Sequence, residues 1–222
     1  MILLAVSLLQ VTDMMNTTGS LKFAVGTAGL LFAAGLANPC AAQSLLGTRV
    51  GEPSTMLSRL GPAAETDNYK GMTVRRWNLP NGNEFSATVG ANGKIAYLES
   101  DWNGKSDDSG CDLQGLRFGI TTLSELRKRF GSNGFEYTAR GFVADTQDGV
   151  VMMNSYDAGG VVITFYTKIN RDEFSRAKAS GTNPLLADYA KLDAISLTNH
   201  AYANSEWGDR VYDPAYKKID WK

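Results

Sequence analysis

Histidine occurs once and cysteine twice in 222 residues, and these two scarcities remove much of the chemistry open to a chain of this length. A zinc site collects three or four His, Cys or carboxylate ligands at set spacing, so a chain whose only histidine is His200 is expected to hold no metal. A nucleophilic triad needs a base that titrates near neutral pH. His200 stands between Asn199 and Ala201, and no Gly-x-Ser-x-Gly elbow occurs. Gly104-Lys105-Ser106 has the ending of a phosphate-binding loop, but Glu99 stands where that loop needs glycine. No cofactor is expected.

Charge of one sign is lacking too. Lys and Arg number 22 against 23 Asp and Glu, a net charge of −1. The densest basic groups, Arg127-Lys128-Arg129 and Lys217-Lys218, are short and diluted by acids, so no nucleic-acid partner is expected. No apolar run reaches the roughly 20 residues of a spanning helix. Phe23 to Ala37 is shorter, rich in Gly and Ala, and ends at Asn38-Pro39, which excludes a stable membrane span.

That run has a different meaning. Lys22 precedes it and Cys40-Ala41-Ala42 follows it, giving the positive region, apolar stretch and small-residue site of a secretory signal. Residues 1–42 read as a signal peptide cut between Ala42 and Gln43. The earlier run Met1 to Val11 has no basic flank and ends near Asp13, which points to a start at Met14 or Met15. The product is expected to be periplasmic or secreted. A lipoprotein acylated at Cys40 is the competing reading, and Asn38-Pro39 makes a poor lipobox for it.

If Cys40 leaves with the leader, Cys111 has no intramolecular partner in an oxidising compartment. Burial, reactivity or an intermolecular bridge are then its options, and the bridge would give a dimer through Cys111. Gly110-Cys111-Asp112-Leu113 supplies no neighbouring cation to lower the thiol pKa, so burial leads.

The remainder, residues 43–222, reads as one pattern used twice. Pro53 opens a short helical segment with Met56, Leu57 and Leu60 on one face and Gly61 as its stop. Thr122 and Glu125 form a capping-box pair before Leu123, Leu126 and Phe130, and Gly131 closes that segment. Strands follow each. Met72 to Leu79, Glu84 to Gly90 and Ile95 to Trp102 are separated by Asn81-Gly82 and Asn92-Gly93, dipeptides suited to hairpin turns. Phe85, Ala87 and Val89 alternate with Glu84, Ser86 and Thr88, as in a half-buried sheet. Gly149 to Tyr156 and Val161 to Ile169 flank Asp157-Ala158-Gly159-Gly160, and Lys191 to Leu197 supplies a third strand. The expected fold class is α+β: two tandem units, each a short helical segment on an antiparallel meander. The first spans residues 43–105; the second spans 106–222, with a helical insertion at 170–190 and an aromatic C-terminal tail.

This arrangement resembles the fold shared by the BamE/SmpA envelope proteins and the β-lactamase inhibitory proteins. The residues that carry the resemblance are Gly51 through Gly61-Pro62, then Trp77, Phe85 and Asn92-Gly93-Lys94-Ile95, with an echo from Gly119-Ile120-Thr121-Thr122 through Phe130-Gly131. The chain departs from the inhibitors in lacking their disulfides and from BamE proteins in lacking the single-unit lipoprotein plan. The resemblance implies a bacterial envelope or secreted protein, and it transfers no activity.

Function rests on recognition more than on catalysis. Tyr202, Trp207, Tyr212, Tyr216 and Trp221 put five aromatics into the last 25 residues, twice the 10% of the whole chain. Such residues are enriched at interface hot spots, and they equally suit a tail packed back on the sheet. Candidate contacts are Trp77, Tyr97, Trp102, Tyr166, Tyr202, Trp207 and Tyr212. The leading reading is an exported non-enzymatic module that binds another envelope or secreted protein. A periplasmic hydrolase using Glu99, Asp101 or His200 is the rival, since Glu99 and Asp101 share a strand face. An envelope-maintenance factor near the outer membrane is the third reading. Asp101, Asn103, Asp107, Asp108 and Asp112 depart from an EF-hand loop at Lys105 and Ser106 and read as a solvated linker.

Overall fold

Glycine-bearing turns cut the chain into hairpins. The computed structural model describes residues 43–179 and 186–219. The expected signal with Ala42, the stretch 180–185 within the insertion, and Trp221 lie outside the described residues. Strand β1 (Glu65–Tyr69) turns into β2 (Met72–Asn78) through Lys70 and Gly71, whose φ angles are 48° and 75°. Two successive positive φ values match the right-handed twist of the flanking strands. Gly93, φ 73°, turns β3 (Glu84–Val89) into β4 (Ile95–Asp101).

The later strands are β5 (Phe135–Tyr137), β6 (Val143–Thr146), β7 (Gly149–Ala158), β8 (Val161–Asn170), β9 (Lys191–Asn199) and β10 (Arg210–Tyr212). Helix α1 spans Leu123–Phe130, α2 Arg171–Ala179 and α3 His200–Trp207, and a 3-10 helix spans Ser54–Leu60. The expected capping box forms at the start of α1, with Thr122 and Glu125 exchanging side-chain to backbone bonds.

Among the described residues all the strands belong to one antiparallel sheet of ten, in the order β1-β2-β3-β4-β9-β8-β7-β5-β10, with β6 on β7. This corrects the expected pair of tandem units. The two meanders meet where β4 pairs with β9, in register from Tyr97↔Thr198 to Asp101↔Ala194. The physical reason is that a meander ending at β4 leaves a row of unpaired backbone groups, and β9 satisfies it. The late third strand of the second half therefore bridges the halves.

Both short helices cover the same side. Leu57 of the 3-10 helix and Leu126 of α1 share a core with Trp77, Phe85, Ala87, Leu98, Ile163, Phe165, Ile195 and Leu197. Phe130 of α1 stacks on Phe165, with centroids 5.3 Å apart and planes 8° apart. Leu45, Leu116 and Phe118 from the connecting segments complete that core. The insertion contributes α2, and Phe174 packs with Val150 and Ile169 in a smaller cluster.

Leu98 is fully buried at the middle of β4, between Ala87 and Leu197 in register. Leu98→Ala is expected to cost about 2–5 kcal/mol and to lower both halves together. Urea denaturation followed by near- and far-UV circular dichroism should give one coincident transition at a reduced midpoint; separate transitions would contradict the single sheet.

Candidate functional site

The opposite side of the sheet is polar and also covered. Alternation along β4 places Tyr97, Glu99 and Asp101 there. Register carries the middle position across five strands as Ser86, Glu99, Ser196, Thr164 and Ser155. Ser196, Thr164 and Ser155 are buried, and Glu99 is 8% exposed. Ser155 and Thr164 hydrogen-bond through their hydroxyls at 2.9 Å. A buried polar row is tolerated only when its groups are paired.

Helix α3 forms part of the cover. Asn199 ends β9 and caps α3 at once, its Oδ1 accepting from the Tyr202 N–H at 2.6 Å. The turn directs Tyr202 and Trp207 over Tyr97: ring centroids are 5.9 Å apart for Tyr97–Tyr202 and 6.1 Å for Tyr97–Trp207. Arg140, from the segment after β5, lies between two rings, with Cζ 4.3 Å from the Trp207 centroid and 4.8 Å from that of Tyr166. Its guanidinium donates to the Tyr166 hydroxyl, which sits 3.3 Å from Ser196 Oγ. Tyr97 donates its hydroxyl proton to Glu99.

The acids of this face hold protons more tightly than usual. Burial raises the Glu99 pKa, partly offset by the hydrogen bond from Tyr97 and the charge of Arg140. Burial lifts Asp101 well above the ordinary carboxylate range, and Glu99, Asp193 and Glu84 push it further. Asp193 rises to about 6 through burial, moderated by Lys168. Glu99 and Asp101 lie two residues apart on one face of β4, and the charge of Glu99 adds to the burial that raises the proton affinity of Asp101. Such a pair can pass a proton, which is the chemistry the hydrolase reading needs.

His200 belongs to a separate cluster. Its Nδ1 contacts the Arg210 guanidinium and lies 3.5 Å from Asp157. Asp157 also accepts from Arg210 Nη1 at 2.7 Å and from the Tyr216 hydroxyl at 2.8 Å. Burial and the neighbouring Arg210 lower the His200 pKa, so the ring accepts from Arg210. These bonds tie the C-terminal tail to the end of β7.

The seven candidate contact residues therefore divide. Tyr97, Tyr166, Tyr202 and Trp207 gather on the polar face around Arg140. Trp77 lies in the opposite core, 4% exposed and donating Nε1–H to the Gly61 carbonyl at 3.1 Å. Trp102 packs on that same side, against Gly119, where no Cβ would fit. Tyr212, on β10, is 46% exposed and packs at a tilt against Phe135 and Tyr216. Arg140 was absent from the sequence reading, because a lone arginine in the turn-rich Thr138-Ala139-Arg140-Gly141 carries no pattern. Cys111 is half-buried beside the main core, and burial pushes its thiol up to about 12. A thiol so protonated is a poor nucleophile for disulfide exchange.

Among the described residues no group of three or more His, Cys, Asp or Glu could hold a metal ion, and no helix is long and apolar enough to cross a membrane.

No protein-family model matches the chain, and no curated protein matches it in sequence. Two solved structures are similar in outline. One is an extracellular protein containing a SCP domain from Bacillus anthracis, 9% identical with a TM-score of 0.40, covering 82% of this chain. The chain spans about half of that protein, 55% of its length. The other is a DUF4309 family protein (YjgB) from Bacillus subtilis, 12% identical with a TM-score of 0.36, covering 69% of this chain and 80% of the other. Neither is a BamE/SmpA or β-lactamase inhibitory protein, and neither likeness assigns a function.

Protonation of the acids sets a pH dependence. Asp193 binds its proton more tightly folded than unfolded, so its stabilising effect is full below about pH 4 and is lost as pH rises through about 6. Asp193→Asn, a neutral stand-in for the protonated acid, is expected to stabilise the protein at pH 7 by up to about 3 kcal/mol and to have little effect at pH 4. Paired urea titrations at the two pH values check this, with Asp101→Asn expected to shift in the same direction.

Proposed function

We propose that the protein is an exported non-enzymatic module that binds an extended segment of another envelope or secreted protein along β10, the edge of its sheet. The observation that carries this reading is the pairing of open backbone with exposed apolar side chains there. β10 bonds to β5 through Asp209, Val211 and Asp213, whose partners are Thr138, Glu136 and Gly134. Alternation leaves the N–H and C=O of Arg210 and Tyr212 on the outer side. Val211 is 47% exposed and Tyr212 46%.

The other end of the sheet contrasts with it. β1 carries Glu65 and Asp67, both bonded to Arg76 of β2, at 3.4 and 2.6 Å. Charges on an edge strand discourage pairing with another chain. The one charge within β10, Arg210, is paired with Asp157 at 2.7 Å, and Asp209 and Asp213 stand at its two ends, leaving Val211 and Tyr212 between them; strand addition is a recurrent mode of peptide recognition. Because β10 is three residues long, main-chain bonds would be few and Val211 and Tyr212 would carry much of the contact, so a transient complex is expected.

The hydrolase reading keeps one specific support, the neighbouring acids Glu99 and Asp101 with their raised proton affinities. Glu99 is 8% exposed beneath an aromatic cover, which favours a structural role for the pair. An envelope-maintenance role would be a matter of which partner is bound.

Crosslinking in cells followed by mass spectrometry tests the proposal. The wild-type protein is expected to recover one dominant protein partner, and Val211→Lys to reduce that recovery at least tenfold with its melting temperature unchanged. Undiminished recovery with Val211→Lys would reject the β10 site. Hydrolytic activity lost in Glu99→Gln would instead favour the enzyme.

A further inference from the structure

Gln43 is 2% exposed, and neither its side-chain nitrogen nor its side-chain oxygen has a hydrogen-bond partner. Its amide lies over the β7–β8 turn, where a Cβ added to Gly159 would stand 3.0 Å from Nε2. The following residues are firmly docked. Ser44 N–H donates to Asp112 at 2.8 Å, Leu45 bridges to Cys111, and Leu46 N–H donates to the Gly110 carbonyl at 2.7 Å. Buried amides are almost always paired, so an orphaned carboxamide at this position asks for an explanation.

We infer that Gln43 is a modification site: once the leader is cut after Ala42, Gln43 closes to an N-terminal pyroglutamate. The inference rests on that cleavage. The new α-amine attacks Cδ of its own side chain, a Cα-to-Cδ span that closes a five-membered ring. The Nα–Cδ bond forms, the Cδ–Nε2 bond breaks, and a proton passes from the α-nitrogen to the departing ammonia. No oxidant, reductant or cofactor takes part.

The structure supplies one reason for this product to suit the site. Cyclisation removes the NH2 group for which the fold provides no acceptor. The lactam that remains is neutral at every pH and keeps one donor and one acceptor. A free α-amine would instead titrate near pH 8.

The test uses the full chain, expressed in an exporting bacterium and recovered from the periplasm or medium. Intact mass is expected to equal residues 43–222 less one ammonia, and the N-terminus should resist Edman degradation until pyroglutamyl aminopeptidase is added. Gln43→Ala should abolish the ammonia loss. This control matters because Asn81-Gly82 and Asn92-Gly93 can also lose ammonia by forming succinimides, and a loss that persists in Gln43→Ala would overturn the assignment. A free Gln43 amine would reject the lactam while leaving the cleavage intact. An acylated Cys40 or an uncut leader would reject both.

Discussion

The pairing of β4 with β9 is the contact on which the rest of the molecule depends. It joins residues about a hundred positions apart in the chain, from Tyr97↔Thr198 to Asp101↔Ala194. Without it, β4 would end one small sheet and β9 would begin another. With it, Leu98 faces Leu197 in a shared core, and Glu99 faces Ser196 in a shared polar row. One line of backbone hydrogen bonds thus creates two buried faces of opposite character.

Those faces share the labour of the fold. The apolar face supplies the hydrophobic burial that drives folding, with both short helices and the connecting segments as its cover. On the polar face Tyr97 is bonded to Glu99, and Arg140 is bonded to Tyr166 and stacked between Tyr166 and Trp207, with Asp101 alongside and Arg140 Nη1 left without a partner. Buried networks of this kind specify one arrangement when satisfied and are costly when incomplete. The price here is visible in the raised proton affinities of Glu99, Asp101 and Asp193.

Much of the local structure was legible in the sequence. The alternating runs gave β2, β3, β4, β7, β8 and β9, and the capping pair Thr122 and Glu125 marked α1. β1 was not legible, because Glu-Thr-Asp-Asn-Tyr has no apolar alternation and forms by pairing with β2 through the Lys70-Gly71 turn. Nor was α3, since His-Ala-Tyr-Ala-Asn-Ser-Glu-Trp has no apolar stripe and depends on the Asn199 cap. The continuity of the sheet escaped for a related reason. Glu84, Ser86 and Thr88 read as the uncovered side of a half-buried sheet, and in the structure Thr88, Glu99, Ser196 and Thr198 are buried. Of the candidate site, the aromatics Tyr97, Tyr166, Tyr202 and Trp207 were found by residue type, whereas their convergence around Arg140 needed the β8–β9 and β4–β9 registers.

Native-state hydrogen exchange across β4 and β9 tests the central claim most directly. If the seam holds one sheet, the slowest amides of β3, β4, β8 and β9 should exchange only by global unfolding, with a common free energy. Two groups of amides, β1 to β4 opening at one free energy and β7 to β9 at another, would show that the halves are stable apart and would contradict the account.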